Sequence, residues 1–383
     1  MINDAKEPLL LGILLFVSAL MRINMTYLAL KKYGILYTGD TQRYDSWANQ
    51  ILERGIGFYA DNIDKPYYWG YASVVALFRK IFASDMPIII FQNILSAAVV
   101  ILIFKTIVLI FEDKAVAFAG GLMYCYFYPF LDWNYILYSD SIGVSLEIIC
   151  IYFFFLQKKQ TGKRKAVTIV LFAVIGVMFL LIRTTAFISM TVMTIGLINQ
   201  LPKKKCSIIY TSLAVCIAAV LVFIFFKSSG EHSPASRLEY YIDLFRNGIV
   251  VYGGFNISIP QEMFDSGMRS FCIIFLVLLR AICFWGIAFP YMPVSQMVIN
   301  TLQILPIFIL GICGAVKDRK NDRKCGVLVA IVIASNIVQA FSEVDFEFRY
   351  RIPIYPPLLI LSVYCLDGLL EKLLSKIPEL REK

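Results

Sequence analysis

Hydrophobic positions along this chain fall into long apolar runs broken by short polar stretches. Runs of roughly 17 residues or more, enough to cross a bilayer as helix, cover 9–30, 87–111, 115–131, 139–156, 166–182, 184–200, 206–226, 271–289, 295–316, 325–342 and 352–371. The loops 157–165 (QKKQTGKRK), 200–205 (QLPKKK) and 317–324 (KDRKNDRK) are strongly basic. Lys- and Arg-rich short loops stay on the cytoplasmic side, so all of these, and the C-terminal tail, are expected inside. The first apolar run follows the N-terminal residues with no small-residue cleavage pattern, which reads as a retained helix starting inside.

An even number of crossings must separate two loops on the same side, yet the runs 206–226, 271–289 and 295–316 all lie between the basic loops ending at 205 and starting at 317. The run 271–289 is the one that fails to cross. Arg280 sits at its middle, where a charge costs about 2.5–3.5 kcal/mol, and Pro290 and Pro293 follow. It is expected as an interfacial or re-entrant helix. The predicted fold class is therefore all-α: a polytopic membrane protein of about ten transmembrane helices, with juxtamembrane amphipathic helices on the outer face. Its expected organisation is a transmembrane module over 1–226, an outer loop with an interfacial helix over 227–294, and further transmembrane helices with a cytoplasmic tail over 295–383. The outer segment 31–86 carries Lys31 and Lys32, which run against the positive-inside trend.

Within that segment the period changes. Tyr44, Trp47, Ala48, Ile51 and Leu52 recur at helical spacing, with Asp45, Asn49 and Glu53 opposite, which predicts an amphipathic surface helix ended by Gly55 and Gly57. Lys65-Pro66-Tyr67-Tyr68-Trp69-Gly70-Tyr71 then opens a second juxtamembrane helix reaching about Phe82, too short to span.

Composition narrows the class. With 59% hydrophobic and only 16% charged residues the chain is no soluble globule, and its net charge of +9 resides in short inter-span loops rather than on a nucleic-acid-binding face. Cys150, Cys216, Cys272, Cys283, Cys313 and Cys365 lie in apolar runs without metal-ligand spacing and read as small core residues. The single histidine, His232, cannot build a multi-histidine metal site and reads as a solvated loop residue.

Candidate chemistry collects at the predicted outer ends of the helices. Asp40 stands just before the amphipathic helix, either as its N-cap or as an acid facing a cleft. Asp132 and Asp140 flank the next outer loop, with Glu147 deeper in the following helix; they are solvated loop acids, an N-cap in the case of Asp140, or cavity-facing carboxylates, since acids entering a span are costly. Arg183 reads either as a snorkelling helix-end arginine or as a phosphate clamp, because a guanidinium offers planar paired donors to phosphate oxygens. The same choice applies to Arg349 and Arg351. Tyr67-Tyr68-Trp69 and Tyr124 to Tyr128 form an aromatic belt, whose faces also suit sugars.

Taken in order, Gly39-Asp40-Thr41-Gln42-Arg43-Tyr44, Pro66-Tyr67-Tyr68, Arg183-Thr184-Thr185-Ala186 and Arg349-Tyr350-Arg351-Ile352-Pro353 resemble the GT-C glycosyltransferases. The nearest branch is the one that holds protein O-mannosyltransferases and the lipid A aminoarabinose transferase. The resemblance implies transfer of a sugar from a polyprenyl-phosphate donor to a lipid, glycan or protein acceptor on the non-cytoplasmic face, in an integral protein of a bacterial plasma membrane. It implies Asp40 as catalytic base, Asp132 or Asp140 as a second acid, Arg183, Arg349 and Arg351 on the donor phosphate, and Tyr44, Tyr67 and Tyr68 at the substrate. The family's frequent Asp-Glu pair is here Asp40-Thr41, so no cofactor is firm, although a divalent metal such as Mg or Mn stays open. No nucleic acid is expected as a partner. A transporter or flippase for lipid-linked saccharides, or a polymerase or ligase acting on them, is the alternative. A transporter tends to show repeated halves and mid-membrane ionisable groups, and this chain shows neither strongly.

Overall fold

The computed structural model describes residues 7–37, 39–63, 66–200, 249–252, 255–258, 269–288, 292–320, 324–341 and 349–374. The expected span 206–226, His232 and the loop 343–348 ahead of Arg349 lie outside the described residues.

The chain is a helical membrane protein. Among the described residues, five helices are long and apolar enough to cross a bilayer: Glu7–Tyr33, Met86–Phe111, Ser139–Lys159, Gly162–Ile182 and Val294–Lys320. These fall on predicted runs, and Ala186–Ile198 and Gly326–Ala340 are shorter apolar helices. We label α1 (Glu7–Tyr33), α2 (Asp40–Arg54), α3 (Ile56–Asp61), α4 (Trp69–Phe82), α5 (Met86–Ala98), α6 (Val100–Phe111), α7 (Lys114–Tyr126), α8 (Tyr128–Leu131), α9 (Ser139–Leu156), α10 (Gly162–Ile182) and α11 (Ala186–Ile198). After them come α12 (Arg269–Cys283), α13 (Val294–Ile299), α14 (Leu305–Lys320), α15 (Gly326–Phe341) and α16 (Tyr355–Leu374).

Local chemistry explains where the pattern and the structure part. The predicted run 115–131 breaks at Phe127, which takes an extended conformation, because Pro129 in the first turn of α8 has no backbone N–H to continue a helix. The run 184–200 yields only the 13 residues of α11. The run 271–289 gives α12, whose 15 residues fall short of a crossing, and Arg280 is buried within its last turn. A short antiparallel pair, β1 (Ile249–Tyr252) with β2 (Phe255–Ser258), adds to the helical class in the segment expected to be a loop; Ile249 pairs with Ser258 and Tyr252 with Phe255.

The amphipathic reading of α2 holds for its inner face: Tyr44 and Ala48 are buried, whereas Leu52 is exposed. Gly55 ends the helix with a positive φ of 57°, a conformation glycine adopts without a Cβ penalty, but Gly57 lies inside α3. Pro66–Tyr68 forms a 3-10 turn that leads into α4. Helix α9 is the most enclosed of the spans and packs against α5, α6, α10 and α11. The 3-10 turn Arg349–Ile354 packs on α9 and α16, bringing the end of the chain against its first half.

Candidate active site

Four charged side chains meet where α2 begins, α9 begins and α10 ends. Arg349 bridges two carboxylates: its Nη1 donates to Asp40 Oδ2 at 2.7 Å and its Nη2 to Asp140 Oδ2 at 2.9 Å. Arg183 Nη1 lies 2.7 Å from the other oxygen of Asp140. Arg183 also donates from Nη2 to the Arg349 carbonyl at 3.0 Å and from Nε to Thr185 Oγ1 at 3.1 Å. Burying such charges is tolerable only because each is paired and hydrogen-bonded.

Backbone geometry sets this up. Gly39 takes the N-cap position of α2 at φ 54°, and a Cβ there would come within 3.0 Å of the Tyr138 hydroxyl. Asp40 is thus the first helical residue and caps nothing; its carboxylate turns to Arg349, and more loosely to Arg43 at 3.4 Å. The N-cap reading of Asp140 fails likewise: Tyr138 is the N-cap of α9, and Asp140 sits in the first turn, fully buried. One turn further, Gly143 leaves room for Arg183, whose Cδ would be 2.9 Å from any Cβ added there. A larger residue would push the guanidinium off Asp140. The Arg349 guanidinium also lies over the rings of Tyr138, at 4.3 Å, and Trp133, at 5.5 Å.

Asp40, Arg183 and Arg349 line a small cleft together with Tyr44, Tyr68, Ser139, Thr184 and Tyr350, while Asp140 is fully buried. Tyr68 presents its ring under the Arg43 guanidinium at 5.0 Å and its hydroxyl to Arg43 Nη1 at 2.9 Å. Tyr44 is a buried anchor, hydrogen-bonded to Ser139 at 2.9 Å. Tyr67 lies on the same 3-10 turn, and nothing is described of its side chain.

Two expected partners are elsewhere. Asp132 lines a second cleft, where its Oδ1 receives the hydroxyls of Tyr128 at 2.7 Å and Tyr135 at 2.9 Å. Burial raises its carboxyl above the ordinary range, against the pull of those two hydrogen bonds. Arg351 is fully buried and donates from Nη1 to the carbonyls of Phe284, at 3.2 Å, and Gly286. It lines the second cleft rather than the first.

Sequence reasoning missed one further network. Arg79 holds Asp85 through Nε at 2.6 Å and Nη2 at 2.7 Å, and Asp45 through Nη2 at 2.6 Å, which locks α2, α4 and α5 together. Burial opposes ionisation of Asp85, but hydrogen bonds from Arg79 and Tyr37 outweigh it and hold the carboxyl below its usual range. Among the described residues no group of three or more His, Cys, Asp or Glu converges, and both Asp40 and Asp140 are tied to arginines. Among the described residues, that donor set does not fit a divalent cation.

Residues 64–226 match the family model of the dolichyl-phosphate-mannose-protein mannosyltransferases. The match spans less than half of the 383-residue chain and contains Asp140 and Arg183, while Asp40 and Arg349 lie outside it. Together with the spanning helices, it supports a membrane glycosyltransferase of the mannosyltransferase type. The comparison with curated proteins finds no match, and neither does the comparison with solved structures.

Proposed function

We propose that the chain transfers a sugar from a polyprenyl-phosphate donor to a hydroxyl-bearing acceptor on the non-cytoplasmic face of the membrane. The observation that carries this reading is the single guanidinium of Arg349 shared between Asp40 and Asp140, with Arg183 on the far side of Asp140. Arg43, Arg183 and Arg349 each reach Asp40 or Asp140, so the cluster gathers guanidinium groups of the kind that bind a phosphate.

The two acids divide the work by exposure. Asp140 is fully buried and holds both arginines in place, whereas the Asp40 side chain is 28% exposed and faces the cleft. The donor phosphate competes with Asp40 for Arg349, and its arrival frees Asp40 from that arginine. The sugar C1–O bond to phosphate then breaks as a C1–O bond to the acceptor forms. The acceptor proton passes to Asp40, and the polyprenyl phosphate departs against Arg183 and Arg349. General base catalysis and electrostatic stabilisation of the leaving phosphate are the terms involved. The cleft, of about 30 Å³, holds only a few atoms, so these ion pairs must part for the donor to enter. Tyr68 and Tyr350 offer aromatic walls beside it.

The test is to reconstitute the full chain in liposomes with polyprenyl-phosphate mannose in the membrane and a hydroxyl-bearing acceptor extract outside. Conversion to polyprenyl phosphate with mannose on an acceptor is the expected result. Movement of intact donor between leaflets without consumption would overturn the enzyme reading in favour of transport.

A further inference from the structure

We propose that the second cleft, walled by α8, α13 and the start of α16, binds the hydroxyl edge of a pyranose ring. The proposal deepens the glycosyl-transfer reading and rests on it. Its lining includes Asp132, Trp133, Gln296, Asn300 and Tyr355. A sugar hydroxyl both donates and accepts, so a site for one needs carboxylate oxygens, amides and an apolar ring face rather than net charge.

Asp132 is prepared for this. Asp132 lines the cleft, and both of its hydrogen bonds among the described residues fall on Oδ1, so Oδ2 remains as an acceptor. Gln296 donates through Nε2 to Asn300 Oδ1 at 3.0 Å, and no described residue donates to its own Oε1. Asn300 is fixed in turn by donating to the Ile287 carbonyl at 3.0 Å. These amides stand at the junction of α13 and the π-helical turn Asn300–Ile304, and such wide turns concentrate at functional sites. Gln303, on the same turn, accepts from the Tyr128 backbone N–H at 2.6 Å, tying the turn to the loop that carries Asp132.

The chemistry selects against other occupants. A phosphate would meet the Asp132 carboxylate while Arg351 is engaged with the carbonyls of Phe284 and Gly286. A divalent cation would find one carboxylate and no converging group of ligands among the described residues. The cavity, about 50 Å³, admits one edge of a ring rather than a whole disaccharide. Trp133 forms part of this cleft and also lies beneath the Arg349 guanidinium, so a ring seated here abuts the arginine-lined cleft. The bound ring is either the donor's own sugar or a sugar of the acceptor.

The experiment is saturation-transfer NMR of methyl glycosides of mannose, glucose and galactose with the full chain in lipid nanodiscs. At least one glycoside should bind the wild type, and Asp132→Asn and Gln296→Ala should each weaken it about tenfold or more. Asparagine preserves the oxygen that both tyrosine hydroxyls need, so this variant should keep its unfolding temperature. Displacement by polyprenyl-phosphate mannose but not by polyprenyl monophosphate assigns the subsite to the donor's sugar. A glycoside that stays bound with either lipid assigns it to the acceptor. Absence of binding by all three glycosides, or equal binding to wild type and both variants, overturns the subsite. Because this reads binding alone, it fails or succeeds independently of sugar transfer.

Discussion

The two clefts solve the same physical problem in different ways, and the difference separates their chemistry. Each has beside it an aspartate that water would otherwise hydrate. Asp140 is neutralised by two guanidinium groups, whereas Asp132 is held by two tyrosine hydroxyls. Ion pairing keeps a carboxylate charged and makes its surroundings a place for exchangeable anions. Hydroxyl pairing leaves a desolvated acid that recognises neutral donors.

The largest effect expected from this contrast is on stability. Asp140→Asn leaves Arg183 and Arg349 buried without their shared counter-charge and should cost about 3–5 kcal/mol, while Asp132→Asn should cost far less. Denaturant unfolding of both variants in the same detergent makes the comparison, and equal costs would break it.

Donor binding should respond next. Arg183→Ala should lose a charge-assisted phosphate contact of about 1.5–3 kcal/mol, with Arg183→Lys recovering part of it because the charge survives without the paired fork. The readout is affinity for polyprenyl monophosphate, and wild-type affinity in Arg183→Ala would make Arg183 a structural anchor.

Acidification should separate the clefts further. The raised carboxyl of Asp132 means that the folded protein binds its proton more tightly than the unfolded chain. As pH falls from neutral through its folded pKa, Asp132 gains a proton, stability from this group rises, and the gain levels off below the unfolded value near 3.9. Glycoside binding should weaken over the same window, above the ordinary carboxylate range, and Asp132→Asn should remove that dependence. The smallest effect is that of Tyr135→Phe, which deletes one donor to Asp132 and should cost about 1 kcal/mol, measured as a shift in unfolding midpoint.

How much of this was legible in the sequence depends on distance along the chain. The amphipathic period of α2, the Pro66 start before α4 and the placement of Arg183 at a helix end all follow from neighbours a few residues apart. The meeting of Arg349 with Asp40 and Asp140 spans 309 and 209 residues, and no local pattern encodes it. Arg349 and Arg351 look equivalent as a pair, yet they lie on a 3-10 turn, where each residue advances about 120°. Two residues apart they face different ways, so one reaches the acids and the other the carbonyls of Phe284 and Gly286. The Arg79 network was hidden for a similar reason: Asp45 reads only as part of the polar face of α2, and it takes the packing of α2 on α4 to bring Arg79 to it.

The central claim is that Asp40 takes the acceptor proton, and Asp40→Asn tests it most directly. Asparagine keeps an oxygen for Arg349 but cannot accept a proton at neutral pH. In the purified, reconstituted full chain, polyprenyl-phosphate mannose should still bind with near-normal affinity while sugar transfer falls by a factor on the order of 10²–10⁴, the typical contribution of a general base. Turnover close to wild type in a folded Asp40→Asn protein would contradict the account.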